Sequence, residues 1–559
     1  SARFKRAAPP ARLRAGGALR AARCPWRGSP MRRRPAGSLA GEARQSYRDA
    51  LALVGCAVRV CPRSADPGRL DDAVGALLKR AGVEDTSAVM LARAADLRQD
   101  TEYVAILASA WRKLQATDGG AEAAMAEALV AAGIHWAQQD RARAQLAAAL
   151  AGPSWRGVRF REMALGCGIG DAFGAGVEFW DGRWIQRHVD GSAFVSRRGD
   201  PVLNFYYSGT EHTPDPDGAG QNFMPGMYTD DCEMSLGLMH ALMAIPSPGP
   251  SAKDMYDYWR DEFAKARRHS LLSRLWSLAG VGRNGHGGIA AVYAGSQTLD
   301  SMRQRIRGMR YPGNAPPMRA MPLAFVAGDA ALVRLARANA DATHPHVKAR
   351  AASLGIAVAA RHFVLQHAAP EVLIAAVCAE LSRLCKLDAA AGEDGGMVDD
   401  ETLEYLQGVD SLPGPGPSDT GKYEDFLPDE ALQRLCGPQP VWRGPADAQP
   451  DGRPRLVRGL NADAMRTLGC VLWLLKHHQA GLAMDTLLRS LYIGGDVDSL
   501  AALTLAMVGG REGLAFGRPG GLPVYMLQKL EAVEYIVETA DSFERWTRVE
   551  HGKRSAACL

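Results

Sequence analysis

Residues 494–510 read GGDVDSLAALTLAMVGG: two glycines, aspartates at 496 and 498, Ser499, then small apolar residues ending at Gly509-Gly510. The glycines let the backbone turn tightly before the acids, and the apolar run predicts a helix that stops at the second glycine pair. Residues 228–244, YTDDCEMSLGLMHALMA, repeat the design more than 260 residues upstream. Thr229, Asp230 or Asp231 can cap this second helix, and Glu233 stands where a capping box places its acid. Capping accounts for one acid in each cluster, not for two.

If Asp230 and Asp231 meet Asp496 and Asp498, four carboxylates converge. They cannot all ionise without a counter-charge, because each raises its neighbours' pKa. A divalent cation resolves the conflict. Oxygen donors without thiolate or imidazole suit Mg²⁺, Mn²⁺ or Ca²⁺ rather than Zn²⁺.

Three further segments carry polar groups suited to a site. Residues 162–179, EMALGCGIGDAFGAGVEF, hold Asp171 and Glu178 among small residues at helical spacing. Phe173 breaks the third glycine of a dinucleotide fingerprint, so the glycines read as a tightly packed helix delivering Asp171 and Glu178 near its end. Residues 310–325, RYPGNAPPMRAMPLAF, form an irregular stretch whose backbone N–H groups, with Arg319, suit phosphate. Residues 343–346 read THPH.

Taken in order, GCGIGDAFGAGVEF, YTDDCEM, GNAPPMRAMPL, THPH and GGDVDSLAAL resemble the ADP-ribosylglycohydrolase family, which includes the dinitrogenase-reductase-activating glycohydrolases and the ADP-ribosyl-acceptor hydrolases. The resemblance implies a compact all-α fold with a binuclear Mg²⁺ or Mn²⁺ centre. It assigns Thr229, Asp230, Asp231, Asp496, Asp498 and Ser499 as metal ligands, and Glu178, Asp231 and Asp496 as catalytic. Asp171, Gly313, Asn314, Arg319 and His344 would bind substrate, an ADP-ribosylated protein or an ADP-ribose-containing small molecule. The implied reaction is hydrolysis of the glycosidic bond between ADP-ribose and its acceptor. Pro316 and Pro317 depart from the family pattern and remove backbone donors from the phosphate loop. That departure motivates an alternative, a non-catalytic ADP-ribose-binding or structural protein on the same fold.

The rest of the 559 residues frames this domain, which is expected over 160–545. Residues 1–44 hold 11 Arg and Lys5 against Glu42 alone, so this segment carries +11 and the remainder −6 within the formal net charge of +5. Residues 1–45 therefore read as a disordered basic leader or a transit-like segment, which would place an intracellular protein in an organelle and otherwise in the cytoplasm. No aromatic platform or recognition helix accompanies the basic residues, which argues against nucleic acid. No apolar run is long enough for a membrane span. Residues 46–155 are rich in helical spacing, as in EYVAILASAWRKL, and read as a packing module or a docking module for another protein. Residues 386–458 turn Asp/Gly/Pro-rich and read as a surface insertion with at most short helices. Residues 546–559 read as a C-terminal tail. The ten cysteines show no zinc spacing and read as reduced structural thiols.

Overall fold

Gly166, Gly170 and Gly174 recur every fourth residue, so they share one face of a helix. In the computed structural model that helix, α1 (Phe160–Gly174), lies against another helix at a separation no larger residue tolerates. A Cβ added at Gly166 would fall 2.4 Å from the Leu505 carbonyl oxygen, one at Gly170 2.2 Å from that of Ala501, and one at Gly174 2.4 Å from Asp498 Cα. On the facing helix, a Cβ at Gly509 would meet the Glu162 carbonyl at 2.4 Å. The paired positions run in opposite directions, so the two helices are antiparallel. The glycines are an interface, as their helical spacing predicts.

The structure describes residues 155–188, 228–268, 287–388, 396–416, 426–438 and 458–557, apart from 247, 294 and 531, with isolated positions between 79 and 150. The expectations for 1–45 and nearly all of those for 46–155 lie outside the described residues. After α1 come α2 (Gly182–His188), α3 (Asp230–Ala244), α4 (Ala252–Arg268), α5 (Gly287–Tyr293), α6 (Leu299–Arg307) and the single-turn α7 (Ala315–Met318). Then follow α8 (Asp329–Thr343), α9 (Val347–Ala360), α10 (Leu373–Leu384), α11 (Asp400–Asp410) and α12 (Asp429–Cys436). The chain closes with α13 (Ala464–Lys476), α14 (Ala483–Tyr492), α15 (Val497–Arg511), α16 (Val524–Lys529) and α17 (Val533–Ala557). Among the described residues there is no strand, only isolated bridges, and the fold is all-α as expected.

α1, α9 and α15 are mostly apolar or small, carry their few charged residues near their ends, and are buried almost throughout, which is how a sequence marks a central helix. α17 packs against α1 and α3, while α7, α8, α10 and α13 surround α9. Two expectations change. The 386–458 segment carries short helices, α11 and α12, as allowed for, but they are not confined to the surface: Leu406, Val409, Phe426, Leu432 and Leu435 are buried in the core. Its apolar residues are sparse in sequence but recur at helical spacing, LxxV and LxxL, and that suffices to dock two helices. The expected tail is likewise helical, because α17 continues to Ala557 with Thr547 buried and Trp546 stacked on Phe543.

Candidate metal centre

α15 begins inside a backbone clamp. Gly494 and Gly495 adopt φ of +79° and +76°, which favour glycine, and a Cβ at Gly495 would lie 2.0 Å from the Leu460 carbonyl. Gly495 donates to the Trp180 carbonyl at 2.9 Å and accepts from the Phe179 N–H at 2.6 Å, while Asp496 N–H donates to Leu460 at 2.9 Å. The turn is therefore fixed between residues 179–182 and 458–460. One consequence is that Glu178, just past the 3₁₀ turn that ends α1, is held beside Asp496 and Asp498.

α3 starts at Asp230, but its cap comes from elsewhere. Asp171 Oδ1 accepts from Thr229 N–H at 2.8 Å and from its hydroxyl at 2.7 Å, and Oδ2 accepts from Cys232 N–H at 2.8 Å. Thr229, which stands at the N-cap, makes no side-chain cap of its own. With the capping duty taken by Asp171, Asp231 is released for other partners. Its Oδ1 is buried without a hydrogen bond, and the Ser499 hydroxyl bonds its side chain across to α15.

The two sequence clusters do converge. Carboxylate oxygens of Asp171, Asp231 and Asp498 lie within 4.8 Å of one another, and so do those of Glu178, Asp496 and Asp498. Asp498 belongs to both groups. Asp230 is buried but belongs to neither, whereas Asp171, expected to bind substrate, belongs to the first. Asn314 donates one amide to Asp496 Oδ2 and to Ser499 Oγ at 3.1 Å, so this residue, also expected at substrate, braces the acids of α15.

Burial and mutual repulsion shape the charges. Burial lifts Asp171 to about 7 in spite of the hydrogen bonds it accepts, and lifts Asp496 to about 6 against the bonds from Asp498 and Asn314. Asp231 and Asp498 are pushed well above the carboxylate range, first by burial and then by the neighbouring carboxylates. Such a group accepts protons or a cation. An orphaned carboxylate oxygen amid hard oxygen donors fits a divalent ion.

Arg319, expected at a phosphate, is wholly buried instead. It donates to Asn339 Oδ1 at 2.7 Å, and to the Asn339 carbonyl and Thr343 Oγ1 at 2.8 Å, with its guanidinium 4.0 Å from the centroid of the Trp259 ring. Burial lowers it to about 9, and Asp230 opposes that shift. A phosphate contact requires an exposed fork, and this one is spent inside the core. His344 bonds Thr343 Oγ1 at 2.8 Å through Nδ1 and faces Gly313 through Nε2; burial, with Arg319 and Arg305, depresses it to about 3. Pro316 and Pro317 occupy the first turn of α7, where an N–H has no helical acceptor, so the departure costs no hydrogen bond within the helix.

A sequence model described as ADP-ribosylglycohydrolase matches residues 151–553. A solved structure titled an ADP-ribosylglycohydrolase-related protein complex is 20% identical, over 70% of this chain and 99% of that one, with a TM-score of 0.41. No curated protein matches the chain. With a family match over most of its length and the family's acidic motifs gathered at the ends of α1, α3 and α15, the chain belongs to the ADP-ribosylglycohydrolase family.

Proposed function

We propose that the chain is a divalent-cation-dependent hydrolase that releases ADP-ribose from an acceptor held through a nitrogen or oxygen on the ribose C1 carbon. The observation that carries this reading is the pair of three-carboxylate groups sharing Asp498, which suits two neighbouring cations. Asp171, Asp231, Asp496 and Asp498, with Thr229, Ser499 and Asp230 adjoining, would hold them. When bound, Mg²⁺ or Mn²⁺ supplies Lewis-acid activation of water and a grip on the ribose hydroxyls.

The chain's own residues account for the remaining chemistry. Cleavage builds positive charge on the ribose ring, and the surrounding carboxylates are placed to stabilise it. Glu178 is half-buried beside Asp496 and Asp498. It can take a proton from water or give one to the leaving group, a role worth roughly 10²–10⁴-fold. Gly313 and His344 pack together below Asn314, where they would shape the floor of the ribose site.

The test is chromatographic detection of free ADP-ribose after incubating Mg²⁺- or Mn²⁺-loaded protein with arginine-linked, serine-linked and small-molecule ADP-ribose conjugates. Release from at least one conjugate, reduced about 100-fold or more by Glu178→Gln, is expected. Binding of ADP-ribose without release from any conjugate would replace this reading with the non-catalytic alternative.

A further inference from the structure

A buried arginine whose hydrogen bonds all go to neutral groups is costly to keep, and the position of Arg319 gives it a purpose. Its guanidinium bonds Asn339 and Thr343 on α8, stacks on Trp259 of α4, and reaches Met234 Sδ on α3 at 3.5 Å. Met234 is one turn beyond Asp230, so Arg319 sits beneath the acidic start of α3. Trp259 is itself wedged against α3: a Cβ at Gly237 would fall 2.9 Å from its Cδ1.

The contacts continue from there to the other acid cluster. Thr343 Oγ1, which accepts from Arg319, also bonds His344 Nδ1, and His344 Nε2 would lie 3.1 Å from a Cβ at Gly313. The next residue, Asn314, holds Asp496 and Ser499. A continuous chain of polar and packing contacts thus runs from under Asp230 to Asp496, below the carboxylates.

We infer that Arg319, acting through Thr343 and His344, is a positioning residue that sets the separation of the two acid clusters, an inference that rests on their reading as a cation site. Lysine cannot replace it, because one ammonium lacks the planar fork that bonds Asn339 and Thr343 together while stacking on Trp259. Groups that hold metal ligands without touching the metal change affinity by about 10–100-fold when removed.

The experiment is a calorimetric Mn²⁺ titration of chelator-treated full-length wild type, Arg319→Lys, Thr343→Val and the double variant, each checked for helical content by circular dichroism. Arg319→Lys is expected to weaken Mn²⁺ binding about tenfold or more, and the double variant little further, since both changes cut one chain. A purely structural arginine would lower the melting temperature yet leave the folded protein's affinity unchanged. Unchanged affinity, or fully additive losses, would overturn the brace while leaving the cation site intact. A wild type that binds no Mn²⁺ would remove both. Should Arg319→Lys fail to fold, Thr343→Val alone decides, by weakening the affinity or leaving it as it was.

Discussion

Two glycines in the same helix should respond oppositely to the same substitution. At Gly170, the added Cβ of Ala would lie 2.2 Å from the Ala501 carbonyl oxygen, against the 3.4 Å or more of an ordinary contact. That neighbour is backbone within α15 and cannot rotate aside, so α1 and α15 must separate by about 1 Å, near the upper end of the roughly 1–3 kcal/mol typical of overpacking. The helix-propensity gain of Ala over Gly returns about 1 kcal/mol, for a net loss of about 2 kcal/mol. At Gly168, the Cβ would meet Ile536 Cδ1 at 3.1 Å and Cys232 Sγ at 3.4 Å, both side-chain ends that can yield. There the propensity gain offsets the crowding, and the change should fall within about 0.5 kcal/mol of neutral or be stabilising. Urea denaturation of the chelated protein measures both midpoints. Gly170→Ala as stable as Gly168→Ala would refute the close-packed antiparallel pair.

Other consequences follow from the buried charges. Asp171 and Asp496 titrate near 7 and 6 when folded, above the roughly 3.9 of an unfolded aspartate, so the stability they contribute is complete below about pH 4 and lost as pH rises through 6–7. The chelated protein should therefore melt at lower temperature at pH 8 than at pH 5, and Mg²⁺ or Mn²⁺ should raise the melting temperature more at pH 8; a chelated protein more stable at pH 8 would contradict this. Asp231→Asn removes a buried carboxylate that neighbouring acids oppose, so scanning calorimetry of the chelated variant should find it at least as stable as wild type while ADP-ribose release falls about 100-fold or more. Asn314→Ala strips Asp496 and Ser499 of their shared donor and should weaken Mn²⁺ binding about 10–100-fold, as read by calorimetry.

Much of this was legible in the chain. Helical period and small-residue spacing marked α1 and α15, and duplicated acid pairs at helix starts marked two clusters that the fold brings together. What could not be read was the division of labour among similar residues. Asp171 caps α3 from 58 residues away, which leaves no trace at the capped helix except that Thr229 and Asp230 look sufficient by themselves. Arg319 follows a loop rich in Gly and Pro and so suggested an exposed phosphate contact. Its real partners, Trp259, Asn339 and Thr343, lie on α4 and α8, and only tertiary packing brings them together. The Asp/Gly/Pro composition of 386–458 likewise left room for short helices but hid that α11 and α12 dock their few apolar residues on a core supplied by other helices.

The central claim is that carboxylates from α1, α3 and α15 hold divalent cations around Asp498, the residue common to both groups. Its most direct test is water-proton relaxation during Mn²⁺ titration of chelator-treated wild type and Asp498→Asn. Saturable binding in the wild type, weakened about 100-fold or more in the variant, is predicted, since one lost ligand serves both groups. Equal Mn²⁺ binding by the two proteins would contradict it.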